Sequence, residues 1–323
     1  MRIIELFAGI GACSVALKRL GIDLEIVDAV EIDKYAMASF NAIHGTNFEP
    51  QDITTYNKIF EDIDLITHGS PCQDFSVAGK GAGGDIGSGT RSSLMYETIR
   101  IVGQIRPKYV LWENVKNLLS AKHRHNFDAY IDTMNALGYK SYYQVLNAKD
   151  YGIPQNRERV YTISIRKDID KGFKFPEKEE LKLRLKDMLE DEVDEKYYLS
   201  DEKTRTVFTY SSYVNKKYDE FIDKNGYIPE MFNPYNKTEI KDIVPTLTGQ
   251  GDSITKSGTV LKNENLRIRK LTPKECWRLM GFSDEDFEKA QNIPTSNTQL
   301  YKQAGNSIVV NVLEKIFKNL LEV

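Results

Sequence analysis

Six short apolar runs punctuate the first half of the chain, and what lies between them constrains the fold most tightly. The runs are RIIELF (2–7), LEIVDAV (24–30), DLITHG (64–69), YVLWENV (109–115), YYQVLNA (142–148) and RVYTISIR (159–166). Helical periodicity occupies the gaps at 13–20, 34–42, 92–105 and 126–137. Pro107, which cannot continue a helix, stops the third of these just before a strand. Strands alternating with helices predict an α/β fold, a doubly wound and mostly parallel sheet.

The pattern breaks near 171. Lysine and glutamate dominate 174–196, tyrosine and asparagine are frequent through 197–236, and apolar periodicity is weak. It returns at 273–281 and again at 307–321, where Ile308, Val309, Val312, Leu313, Ile316 and Phe317 share one side of a helix. At 323 residues the chain is long for a single core. The expected division is a catalytic and cofactor-binding domain at 1–170, a smaller recognition domain at 171–265, and a segment at 266–323 that packs back on the first.

Charge and composition exclude several classes. No run of about 18 apolar residues exists to span a membrane, and MRIIELFAG lacks the features of a secretory signal, so a cytoplasmic protein is expected. Cys13, Cys72 and Cys276 are odd in number and far apart, which fits neither a disulfide framework nor a zinc site. The four scattered histidines add no metal signature, and no metal is expected. Cys13 and Cys276 lie in apolar helical patterns and read as core residues. The net charge of −3 hides an uneven distribution. Acidic residues crowd into EDEVDEK at 190–196. Basic ones gather in QNRERVYTISIRK and at Arg267, Arg269, Lys270, Lys274 and Arg278, enough for a local cationic face.

Two regions carry chemistry. In ELFAGIGACSVAL, Gly9 and Gly11 fall between a strand and a helix, where the backbone can approach a ligand and the helix offers free N–H groups. Glu31 follows the second strand, where nucleotide-binding α/β folds hold a ribose hydroxyl. Ser14 stands where a dinucleotide fingerprint would have its third glycine, so the motif by itself points to cofactor binding without naming the cofactor, with a plain tight turn as the alternative. Asp52 is read either as an acceptor for an adenine amino group or as a solvated turn aspartate.

The second region is HGSPCQDFSVAGK, 68–80, which begins as a strand ends, at the sheet edge where α/β active sites form. Pro71 stiffens the backbone before Cys72, and glycines 79, 81, 83, 84, 87 and 89 make a loop able to move as a lid. A cysteine heading such a loop reads as a nucleophile, with an inert thiol as the alternative. Glu113, at the end of YVLWENV, reaches the same edge and could supply an acid, although a strand-end glutamate in water is as common. Arg157 and Arg159 alternate into a strand and would then point to one side, able to hold a base carbonyl or a phosphate; an exposed edge strand is the other reading.

Taken in order, FAGIG, VEIDKYA, GSPCQDFS, ENV, QNRERVY, RKLTPKECWRLMGF and QAGNSIVVNVL resemble the successive motifs of the 5-methylcytosine DNA methyltransferases, of bacterial or phage type. The likeness fades across 171–265, the region that varies in that family. The resemblance implies the S-adenosylmethionine-dependent methyltransferase fold, with Phe7, Gly9, Gly11, Glu31, Asp52, Ile53, Pro71, Leu94, Asn306 and Ile308 around S-adenosylmethionine. It implies Cys72 as nucleophile, and Glu113, Arg157 and Arg159 on the target cytosine. Gln73 and Ser76 would lie on a closing loop against DNA, and Thr246 in VPTLTG would anchor the recognition region to the DNA backbone. The partner implied is double-stranded DNA with its target base flipped out. A monomer is expected, with any cognate restriction endonuclease acting separately.

Two positions depart from the family pattern. Ile32 stands where some relatives carry tryptophan, so adenine would meet only apolar contact there. Asp74 is a negative charge close to Cys72, which raises a thiol pKa unless a cation such as Arg159 offsets it. Competing readings are a transfer-RNA cytosine methyltransferase, a DNA-binding protein without activity, and a nicotinamide oxidoreductase. The absent third glycine and the Pro-Cys loop speak against the last.

Overall fold

A computed structural model describes residues 1–71, 91–198, 200, 223–224, 230–233, 238–249, 259–262 and 268–323. They fall into two compact units. Unit 1 comprises 1–151, 158–179 and 308–323, and unit 2 comprises 152–157 and 180–307. That division differs from the three parts expected from sequence: 266–307 goes with unit 2, and only 308–323 goes with unit 1.

Unit 1 is built on a six-stranded sheet: β1 (Arg2–Leu6), β2 (Glu25–Val30), β3 (Leu65–His68), β4 (Tyr109–Val115), β5 (Tyr139–Asn147) and β7 (Glu158–Arg166). The strand order is β2-β1-β3-β4-β7-β5. β7 runs antiparallel to both neighbours, while β1, β2, β3 and β4 pair in parallel. The expected mostly parallel α/β sheet is what forms. Interior strands are buried on both faces, and β3 is buried at every residue, as parallel pairing between helical layers requires.

Alternation along β1 separates the layers. Ile4 and Leu6 join Ile66, Val110 and Trp112 in a core packed by Met95, Ile99 and Val102 of α3 (Met95–Ile105) and by Phe127 and Tyr130 of α4 (Arg124–Ala136). Glu5 points the other way, toward α1 (Ala12–Arg19). Ala29 of β2, in register with Glu5, packs there against Met37 and Phe40 of α2 (Lys34–His44). The last helix of the chain, Val310–Leu321, also belongs to this layer; it packs on α1, and Arg19 pairs with its Glu314 at 3.6 Å. Val310, Val312, Leu313, Ile316, Phe317 and Leu320 are its buried residues, each stabilising the unit by about 1.5–3 kcal/mol when fully covered.

Among its described residues, unit 2 has two small sheets. β6 (Gln155–Asn156) pairs in parallel with β10 (Val244–Pro245). β8 (Met231–Asn233), β9 (Thr238–Glu239), β11 (Val260–Lys262) and β12 (Ile268–Lys270) form an antiparallel set in the order β12-β11-β8-β9. Three helices follow: α5 (Pro273–Arg278), α6 (Asp284–Gln291) and α7 (Asn297–Asn306), which makes the last helix of the chain α8. Sequence reading missed α6 and α7. No described helix is long and apolar enough to cross a membrane.

Candidate active site

The turn from β1 to α1 is unusual in its backbone. Phe7, Gly9 and Gly11 all have positive φ, at 53°, 56° and 80°. Gly11 is required on two counts: its conformation, and a side chain there would run into the ring of His44 and into Phe40. The Gly9 N–H donates to Glu31 Oε2 at 3.0 Å, and Asp33 N donates to Oε1 at 2.8 Å. Each carboxylate oxygen therefore holds one backbone donor and keeps acceptor capacity for another. Burial pushes the Glu31 pKa up.

Asp52 is brought to the same edge, because Gln51 N donates to Glu31 O at 2.8 Å. Its side chain caps a short 3₁₀ turn at Ile53–Thr55, accepting from Thr54 N at 2.9 Å and Thr54 Oγ1 at 2.8 Å. Ile53 is buried in the β1–β4 core, and Phe7 and Leu94 pack against that same cluster. Ile32 is 68% exposed beside Glu31, an apolar surface with nothing over it among the described residues. The edge thus combines a half-buried carboxylate with free acceptor capacity, a glycine turn and an exposed isoleucine.

At the other end of the sheet edge, Glu113 of β4 is buried, and Arg159 Nε lies 3.1 Å from its Oε1. Strand pairing explains the contact. Val115 is opposite Arg159 and Glu113 opposite Tyr161, so Glu113 and Arg159 are diagonal neighbours on one face. Their side chains are 11% and 16% exposed, a mostly desolvated pair. Gly69 lies beside this pair: a Cβ there would be in ordinary contact with Glu113 Oε2 at 3.7 Å and Ile308 Cδ1 at 3.8 Å.

The approach to Pro71 is gripped from β4. Trp112 Nε1 donates to Ser70 Oγ at 3.1 Å, and Asn114 Nδ2 donates to Ser70 O at 3.2 Å. Below it, His68 stacks on Trp112 with ring centroids 5.5 Å apart, and its Nε2 lies 3.1 Å from Tyr130 Oη. Burial pushes the His68 imidazole down to about 3, so the ring is neutral. Cys72, Gln73 and Ser76 lie outside the described residues, as does the glycine-rich loop after them.

Arg157 corrects an expectation. It lies before the first residue of β7 rather than alternating along it with Arg159, and its guanidinium is turned to backbone carbonyls: Leu247 O at 2.9 Å, Gly305 O at 3.2 Å and Ser307 O at 2.9 Å. A planar group with five donors suits such a three-way tie. Thr246 Oγ1 donates to Asn156 O at 2.8 Å, and Asn306 is exposed, close to Gly249. Cys13 and Cys276 are both buried thiols, as expected.

Comparison with known families decides what this edge belongs to. Residues 1–322 match the family described as C-5 cytosine-specific DNA methylase. The chain belongs to that family. Similar proteins include the type II methyltransferase M2.ScrFI of Lactococcus lactis subsp. cremoris, 37% identical over 376 residues that cover 100% of this chain and 99% of the relative. The type II methyltransferase M.HhaI of Haemophilus parahaemolyticus is 36% identical over 326 residues, covering 99% and 94%. Among solved structures, the Dnmt2 methyltransferase of S. pombe shares the fold with a TM-score of 0.71 at 22% identity, covering 100% of this chain and 98% of that one.

The C-5 cytosine methylase thus carries the Glu113–Arg159 pair across β4 and β7, a strand that runs antiparallel to both its neighbours. Sequence reading missed two parts of this methylase. One is the hold of Trp112 and Asn114 on Ser70, for which ENV gave a partial signal. The other is a pair below the Phe7–Gly11 turn, Glu5 and Ser14, which the absent third glycine marked without explaining.

Proposed function

We propose that this DNA cytosine-5 methyltransferase takes its methyl group from S-adenosylmethionine and acts on cytosine within a specific duplex sequence, with Cys72 as nucleophile. The observation that carries this reading is the buried Glu113–Arg159 pair beside Gly69, where the chain leads into Pro71 and Cys72. Phe7, Gly9, Gly11, Glu31, Asp52, Ile53, Pro71, Leu94, Asn306 and Ile308 would hold the donor, which when bound supplies an electrophilic methyl group.

A cytosine inside a duplex must leave the stack to reach such an edge. Cys72 as thiolate adds to carbon 6 of the flipped ring. Glu113 donates a hydrogen bond or proton to ring nitrogen 3, stabilising the electrons pushed onto the ring, and carbon 5 becomes nucleophilic. Arg159 orients Glu113. After methylation, loss of the carbon 5 proton and departure of the Cys72 sulfur restore the aromatic base. Gln73, Ser76 and Thr246 would contact DNA, and 171–265 would read the sequence. Arg157 belongs in this reading as a positioning residue, tying Leu247 to the stretch that carries Asn306. The enzyme would work as a cytoplasmic monomer, with any cognate endonuclease acting separately.

Fluorine at carbon 5 cannot leave as a cation, so the cycle should halt with protein and DNA joined. Duplex DNA carrying 5-fluorocytosine should give a denaturation-resistant adduct that requires S-adenosylmethionine. Cys72→Ser should abolish adduct and methylation, whereas Cys13→Ser and Cys276→Ser should leave the adduct intact. An adduct that persists without Cys72 would sink the mechanism.

A further inference from the structure

The first turn of a helix leaves N–H groups without intrahelical partners, and a residue at the N-cap ordinarily supplies an acceptor. In α1 the N-cap is Gly11, which has no side chain to do so. The acceptor comes from below instead. Glu5 Oε1 on β1 accepts from Ser14 N at 3.1 Å and from Ser14 Oγ, and the Cys13 N–H also turns to this carboxyl. Glu5 is 2% exposed and Ser14 fully buried.

We propose that Glu5 and Ser14 are a positioning pair that sets the Phe7–Gly11 turn for the methyl donor, a buried strand carboxylate capping α1 in place of its N-cap residue. The inference rests on the reading that S-adenosylmethionine binds at this turn. Gly9 and Gly11 take their left-handed conformations without strain, but Phe7 at φ 53° is costly and persists only where the surroundings over-determine it. Glu31 fixes the middle of the turn through Gly9 N, and Glu5 fixes its far end. A glycine at position 14 would lose the hydroxyl that Glu5 holds.

Among the described residues, the groups facing Glu5 are few. On α1 they are Ser14, the Cys13 thiol and Lys18; Ala29 and Thr67 flank it on β2 and β3, and Glu113 of β4 acts on Cys13 from the far side. Burial pushes the Glu5 carboxyl up to about 7, so its charge changes in the neutral range. The ionised form accepts the stronger hydrogen bonds and suits a helix N-terminus. Donor affinity should therefore rise with pH through neutrality.

The test is calorimetry of S-adenosylmethionine binding at about pH 6 and about pH 8, with amide hydrogen exchange over residues 7–14 in the absence of donor. Glu5→Leu should weaken binding by about tenfold or more, the worth of hydrogen bonds to a charged group, and strip protection from the start of α1. Glu5→Gln keeps an acceptor oxygen, so it should bind within a few fold of wild type but lose the rise with pH. Ser14→Ala should weaken binding less than Glu5→Leu, and it carries the test should Glu5→Leu fail to fold. Unchanged affinity and exchange in Glu5→Leu and Ser14→Ala, or a pH dependence that survives in Glu5→Gln, would overturn the proposal. A wild type that does not bind S-adenosylmethionine would overturn the donor reading instead, while exchange would still report on the cap.

Discussion

His68 shows how one buried side chain sets a pH limit on the fold. It is 1% exposed, stacked on Trp112 and hydrogen-bonded to Tyr130, and its Nδ1 meets no hydrogen-bond partner among the described residues. Its folded pKa of about 3 lies below the ordinary histidine value, so between the two the unfolded chain binds the extra proton. Stability is then unaffected above about pH 6.5 and falls below it, by about 1.4 kcal/mol per pH unit for one proton. Urea melts at about pH 6.5 and about pH 5 should show that slope, and His68→Phe should reduce it by roughly the contribution of one proton. An equal slope in both proteins would mean that other groups govern acid unfolding. At this level the sequence was uneven. Cys13 and Cys276 read as core because apolar spacing reports burial. The partners of Arg157 did not, because alternation reports which way a strand residue points and says nothing of three carbonyls from 247, 305 and 307.

Among the elements, the six strands of the main sheet were visible to within a few residues, and β4 was read at 109–115 as it stands. β5 begins at Tyr139 rather than 142, because Tyr139 is buried against Arg166 across the pair while the residues after it are partly exposed. The helices α6 and α7 escaped notice because few of their residues are apolar; α6 buries only Phe287 and Ala290. Their signal lay in the caps: Ser283 with Asp286 forms a capping box, and Ser296 accepts from Gln299 N. One substitution separates helix propensity from packing in α7. Gly305→Ala should gain about 0.5–1 kcal/mol as a better helix former. The new Cβ would meet the backbone of Thr248 and Gly249, which cannot rotate aside, at a cost of about 1–3 kcal/mol or more. Packing should win, and the melting temperature should drop; a rise would show that the segment around Thr248 and Gly249 yields freely.

For the molecule as a whole, two properties of the chain predict how it meets DNA. Net charge is −3, yet contacts by lysine and arginine to phosphates release counterions, so affinity should fall steeply between low and physiological salt. A flat binding curve would argue against a cationic face. Replacing 171–265 with the corresponding region of a relative should change the methylated sequence while keeping the chemistry; a folded chimera that still marks the original site would place recognition elsewhere. The family was visible in seven ordered motifs because chemistry fixes residue types at sheet edges, whereas base-edge reading leaves no such order in a sequence.

The interleaving of the two units bears on how the enzyme is made. Unit 1 begins with the first residue and is completed only by α8, after the chain has left for unit 2 and returned. A ribosome adding about 5–20 residues per second takes on the order of ten seconds to pass from the end of β7 to the start of α8. Through that interval α1 lacks the helix that covers it, so the Phe7–Gly11 turn that leads into it waits on the last stretch of synthesis. A prematurely terminated product would carry Glu113 and the Phe7–Gly11 turn and still lack the helix that completes the core of unit 1.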